Sequence, residues 1–253
     1  MNNLMEQLVT NAIFVAQCLG LVVAIFVVAR LIEKWEMKRN GKVEPIFTTK
    51  KITMIGIFSA IAAILMLFEF PLPFAPNFYK LDFSEVPVMI AAFAFGPVAG
   101  VMVEFCKILL NLLMDSTTTA FVGELANFCV GCAYVLPASM IYLYKKNRKS
   151  AVIACLVGTV ILTVFGTAFN AVYLLPKFAE LYGMPIEALV GMGTAINPAI
   201  TDVTTMVLFA VAPLNLIKGA LVSGITMVVY KKLSKMIKSS QADREKVGTK
   251  KLV

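Results

Sequence analysis

Ten ionisable or amide side chains interrupt otherwise apolar runs: Glu69, Glu104, Lys107, Asn111, Glu124, Asn127, Asn170, Asp202, Asn215 and Lys218. A charge near the centre of a bilayer costs at least ~2.5–3.5 kcal/mol, so such groups face a bundle interior, water or a ligand. Glu104 and Lys107 are three apart and Lys107 and Asn111 four apart, which puts all three on one helix face. Two readings stand for them: an internal ion pair that packs one helix against its neighbours, or a polar network that touches a ligand. Asn215 and Lys218, in Pro213-Leu-Asn-Leu-Ile-Lys-Gly219, also share a face, with no carboxylate three or four residues away to neutralise the lysine. That pair is either a snorkelling lysine beside an amide or a prepared polar site. Other chemistries lack their residues. The chain has no histidine, which excludes a Ser-His-Asp or Cys-His triad. It has no GxxxxGK[ST], GxGxxG or HExxH motif. Cys129 and Cys132 form a CxxC without a second pair, so they read as small packing residues and not as a metal site. An enzyme is not expected, nor a bound metal or cofactor.

The elements that must position these residues are membrane spans. Of 253 residues, 59% are hydrophobic and 15% charged, against about 25% charged in a soluble domain. The expected fold is an all-α integral membrane protein: one N-terminal transmembrane helix over residues 4–34, then a six-helix core. The core spans are expected at Ile52–Phe70, Phe83–Phe95, Val98–Met114, Ala120–Tyr144, Ala151–Leu175 and Asp202–Tyr230. Trp35–Lys51 reads as a polar linker and Pro176–Pro198 as a mixed loop. Phe83–Phe95 has only 13 residues, ~20 Å of helix against a ~30 Å hydrocarbon core, so its flanks or its neighbours must help it. In domain terms the chain divides into 1–40, a helix with a basic linker; 41–238, the membrane domain; and 239–253, a basic tail.

The net charge of +8 is not a nucleic-acid signature, because all but four of the 23 basic residues (Lys80, Lys107, Lys177 and Lys218) flank apolar runs. They cluster in Arg30–Lys51, Lys145–Lys149 and Lys231–Lys251. One count of crossings puts all three clusters on the same side, as the positive-inside rule requires. Both core termini are then cytoplasmic and the extreme N-terminus outside.

Two further patterns stand out. Phe70–Phe83 interleaves Phe70, Phe74, Phe78, Tyr79 and Phe83 with Pro71, Pro73 and Pro76, so no regular helix can form there. It reads as an exposed loop whose aromatics either anchor at the interface or form a lid. Gly56-x-x-x-Ala60 and Ser59-x-x-x-Ala63 are small-residue pairs that let another helix approach closely.

Leu72-Pro-Phe-Ala-Pro76, Lys80-Leu-Asp-Phe-Ser-Glu-Val-Pro87, Phe95-Gly-Pro-Val-Ala-Gly100, Glu104-x-x-Lys107 and Pro213–Gly219 together resemble the S component of an energy-coupling-factor (ECF) vitamin transporter, most of all the riboflavin-specific kind. The resemblance covers roughly residues 48–236. It implies a substrate-binding subunit in a bacterial plasma membrane that captures riboflavin from outside under a closing first loop. It also implies partners: a membrane scaffold subunit and two cytosolic ATPases. Carried over by the resemblance, Leu72, Phe74, Ala75, Leu81, Asn170, Asn215 and Lys218 are ligand contacts, and Gly56, Ser59, Ala60 and Ala63 form the scaffold-contact face. Asp82, Glu85 and Glu124 are expected near the outer side, where they disfavour a phosphorylated ligand. Two other functions fit the same residues. One is an S component for another vitamin or heterocycle. The other is an ion-coupled secondary transporter using Glu104, Glu124 and Asp202.

Overall fold

A computed structural model describes residues 2–41, 47–115, 117, 119 and 121–230. The tail from Lys231 onward and linker residues 42–46 lie outside them. The N-terminal helix α1 (Asn2–Asn40) is followed by α2 (Thr49–Leu67), a two-stranded hairpin of β1 (Phe70–Pro71) and β2 (Lys80–Leu81), α3 (Glu85–Phe95), α4 (Pro97–Asp115) and α5 (Val122–Tyr144). Next, α6 (Arg148–Phe169) passes through a π-helical turn, Asn170–Leu174, into α7 (Leu175–Tyr182). A short α8 (Ile186–Thr194) precedes the final span, Val203–Tyr230, which opens as α9 (Val203–Met206) and a second π-helical turn, Val207–Val211. Among the described residues, six helices are long and apolar enough to cross a membrane, α1 among them, and α3 is the shorter apolar helix that completes the core. Six core helices plus one N-terminal helix is the expected architecture.

Three boundaries differ from expectation. Helix α1 runs on through the basic residues to Asn40, where a linker was expected. At ~1.5 Å per residue its 39 residues reach ~58 Å, nearly twice the hydrocarbon thickness, so the charged end can stay helical in water. Pro176–Pro198 is mostly helical, because the helix that begins at Arg148 runs on through the π-helical turn to Tyr182, and α8 follows. The proline-rich segment is a loop, but Ala75, Tyr79, Leu81 and Asp82 within it are buried and not exposed.

Helix α3 is short because it begins deep in the bundle. Its first residue, Glu85, sits level with Lys107 halfway along α4. Gly96, at φ +98°, then makes the left-handed turn into Pro97 of α4. The loop before α3 thus fills the half of the bundle that α3 leaves empty. Two apolar clusters result. One joins Phe58, Met89, Val103, Tyr134 and Leu162 around α3. The other packs Ala75 and Tyr79 of the loop against Ala126, Leu175, Leu189, Met206 and Leu214.

Helix α1 is docked on the core, not merely tethered to it. Ala29, with Phe26, packs on Val101, Ile108, Phe128 and Cys129 of α4 and α5. The buried Glu33 accepts a hydrogen bond from Lys51 Nζ of α2 at 2.7 Å. Arg39 donates to the terminal carbonyls of α5, Leu143 O at 3.1 Å and Tyr144 O at 3.0 Å. Cys129 and Cys132 are buried free thiols in this interface. Glu33→Ala leaves Lys51 buried and unpaired, so it should cost roughly 2–4 kcal/mol, read as a lower unfolding midpoint in detergent. An unchanged midpoint would show that this pair does not dock α1.

Candidate functional site

Between the two apolar clusters lies a layer of five buried ionisable side chains from four segments: the loop after β2, α3, α4 and the final span. Lys107 of α4 donates to Glu85 Oε1 at 2.7 Å and Ser84 Oγ at 3.0 Å, and Glu104 Oε1 lies 2.8 Å from its ammonium. Lys218 of the final span donates to Asp82 Oδ2 at 2.9 Å, with Glu85 Oε1 at 3.8 Å. The order is Asp82, Lys218, Glu85, Lys107, Glu104, with carboxylates and ammoniums alternating. The Glu104 and Lys107 side chains are no more than 1% exposed. Helix α5 makes room for Glu104 with Gly131, where a Cβ would collide with the Glu104 carboxylate.

Glu104 and Lys107 meet as an ion pair, one of the two readings their spacing left open. Lys218 is not without a counter-ion. Its partner is Asp82, 136 residues away in sequence, and a search of its own helix cannot find it. Asp82 and Glu85 are not an outward-facing acidic rim, because both are paired inside the bundle. Asp202, by contrast, lies outside the interior: it is exposed and caps α9 by accepting from Thr205 N at 2.7 Å. Glu69 pairs with Lys80 on the exposed hairpin, and Glu124 accepts from Thr119 Oγ1 at 2.9 Å.

Both Asp82 oxygens are engaged: Oδ2 accepts from Lys218 Nζ at 2.9 Å and Oδ1 from Ser84 N at 2.7 Å.

The amides sit beside this layer. Asn170 opens the π-helical turn after α6; its Nδ2 donates to Gly166 O at 2.8 Å and its Oδ1 accepts from Tyr79 Oη at 2.9 Å. Asn215, one turn before Lys218, lies against the same Gly166, where a Cβ would come within 2.6 Å of Asn215 Nδ2. One glycine thus brings Asn170 and Asn215 together. Above them the loop supplies buried Ala75 and Leu81 and half-buried Leu72 and Phe74. Phe78 stacks near Tyr79 with ring centroids 4.6 Å apart. Asn111 is buried one turn along α4 from Lys107. On α2, Gly56 and Ala60 lie on the exposed face, whereas Ser59 and Ala63 point into the core.

Tyr79, Asp82 and Glu85 are the members of this site that residue patterns did not single out as interior groups. The available signal was two acids three residues apart at the head of a short apolar helix with no local base.

Residues 50–230 match the family model described as the ECF transporter, substrate-specific component. The chain belongs to this family. Among its relatives, the riboflavin transporter RibU of Staphylococcus aureus (strain TCH60) is 34% identical over 189 residues, covering 75% of this chain and 93% of that protein. The riboflavin transporter FmnP of Bacillus subtilis (strain 168) is 30% identical over 196 residues, covering 76% and 96%. A solved structure of the S component of a bacterial ECF transporter superposes with a TM-score of 0.58 at 34% identity, covering 75% of this chain and 98% of that one. The matched region of the S-component family begins after α1, so the N-terminal helix is an addition to the shared core.

Removing the central ammonium tests the ionic layer. Lys107→Met leaves Glu85 and Glu104 side by side without a cation between them, a loss of about 3–5 kcal/mol. Thermal unfolding in detergent should show it. A midpoint equal to the wild type would mean that the layer contributes nothing to stability.

Proposed function

We propose that this chain is the riboflavin-binding subunit of an ECF importer. It captures the vitamin from outside the cell and passes it inward together with a membrane scaffold subunit and cytosolic ATPase subunits. The observation that carries this is the convergence of Asn170, Asn215 and Lys218 beneath a buried, aromatic-rich loop. Riboflavin is a neutral, flat tricycle edged with carbonyls and ring nitrogens. Apolar and aromatic walls suit the rings, and a few placed donors suit the edge. Names of relatives at 34% and 30% identity support the same ligand. The basic ends of α1 and α5 share one end of the bundle, which fits a cytoplasmic side there and the loop facing out.

The scaffold contact narrows to Gly56 and Ala60, because these small residues share the exposed face of α2. Ser59 and Ala63 serve the internal packing of the core.

Titration of the purified chain with riboflavin, followed by quenching of flavin fluorescence, tests the ligand. Lys218→Ala should weaken binding by about 1–3 kcal/mol, the scale for leaving buried polar groups unpaired. Unchanged affinity removes Lys218 from the site, and absence of binding by the wild type points to another heterocycle. Gly56→Leu with Ala60→Leu should abolish uptake by the assembled transporter and spare binding. Loss of binding in that variant contradicts the separation of the two faces, and uptake by this chain alone in liposomes contradicts the need for a motor.

A further inference from the structure

We propose that Asp82 is the positioning residue for Lys218: a permanent counter-ion, carried by the loop, that aims the ammonium at the ligand and makes the site select an uncharged one. This rests on the riboflavin reading above. Lys218 has three N–H donors, and Asp82 Oδ2 takes one at 2.9 Å. The other Asp82 oxygen is fixed, because Oδ1 accepts from Ser84 N at 2.7 Å. Glu85 is the more distant carboxylate. Its Oε1 is 3.8 Å from Lys218 and already accepts from Lys107 at 2.7 Å. A neutral ligand offers hydrogen-bond acceptors but no negative charge, so it cannot replace a carboxylate beside a buried ammonium. Asp82 therefore stays paired with Lys218 when ligand is bound, and the remaining donors serve the ligand.

The backbone makes the pairing consequential. Asp82 directly follows β2, whose Leu81 pairs with Phe70 of β1. The position of the loop thus sets the position of the lysine. Asn170 is tied to the same loop through Tyr79 Oη. Two of the three ligand-binding side chains are in this way held by the segment that covers them.

Charge explains the selectivity. The Lys218 ammonium is already neutralised by the Asp82 carboxylate at 2.9 Å. A phosphate ester brought to Lys218 sets a second negative charge beside that carboxylate, and in a low-dielectric interior the repulsion is weakly screened. Asp82→Asn removes the carboxylate charge.

The test is a double-mutant cycle read with two ligands, riboflavin and its phosphate ester, on the full chain in detergent. Asp82→Asn should weaken riboflavin about tenfold or more, as expected when one partner of a buried charge pair is lost. It should weaken the phosphate ester less, so the preference for the uncharged ligand narrows. Asp82→Glu should restore most of that preference. In a Lys218→Met background, Asp82→Asn should change riboflavin affinity by less than about twofold, because its route to the ligand is gone. A role confined to fold stability would weaken both ligands by one factor and act equally with or without Lys218. Either of those results overturns the proposal. If the wild type binds riboflavin and the cycle is additive, this inference fails alone. If the wild type binds no riboflavin, the reading of the site fails with it.

Discussion

Burying a charge in a membrane bundle is costly, and this fold is organised around five at one depth. Each carboxylate or ammonium withdrawn from water costs several kcal/mol, repaid only when opposite charges meet in good geometry. Asp82, Lys218, Glu85, Lys107 and Glu104 meet that condition by alternating in sign. They come from four segments, so the loop before α3, the start of α3, the middle of α4 and the middle of the final span must arrive at the same level. That requirement accounts for the short α3, for the loop that descends into the bundle, and for a gap where Gly131 admits Glu104. Irregular backbone at this depth is tolerable because it is buried in protein and not in lipid.

In the proposed reading, the same constraint also shapes the ligand site. Above the ionic layer the bundle is lined by loop side chains and by the two π-helical turns, Asn170–Leu174 and Val207–Val211. Such turns re-aim side chains out of the regular helical register and recur at functional sites. Here one of them delivers Asn170 next to Asn215 and beneath Tyr79. The loop is therefore part of the wall and not a separate cover, because its side chains hold the polar groups it encloses. Helix α1 packs on α4 and α5 and leaves the Gly56–Ala60 face of α2 open.

Local chemistry made much of this legible in the sequence. The low charge content and the apolar run lengths gave the membrane-spanning helices. The spacing of Glu104 and Lys107 put them on one helix face, and the 13 residues of Phe83–Phe95 marked an incomplete span. What was not legible depended on long-range closure. The counter-ion of Lys218 lies 136 residues away, and no pattern within one helix can supply it. Three prolines correctly excluded a helix at 70–76, but they do not tell a surface loop from one packed inside. The π-helical turns leave no periodic signal, since one extra residue per turn is set by packing. Ser59 and Ala63 share the small size of Gly56 and Ala60 yet face the opposite way, which size alone does not reveal.

An experimental structure of the chain with riboflavin bound tests the central claim most directly. The account predicts the flavin rings against Asn170, Asn215 and Lys218 under the loop, with Asp82 still hydrogen-bonded to the Lys218 ammonium. Flavin lodged elsewhere, or a Lys218 that has left Asp82 to bind it, would contradict the account.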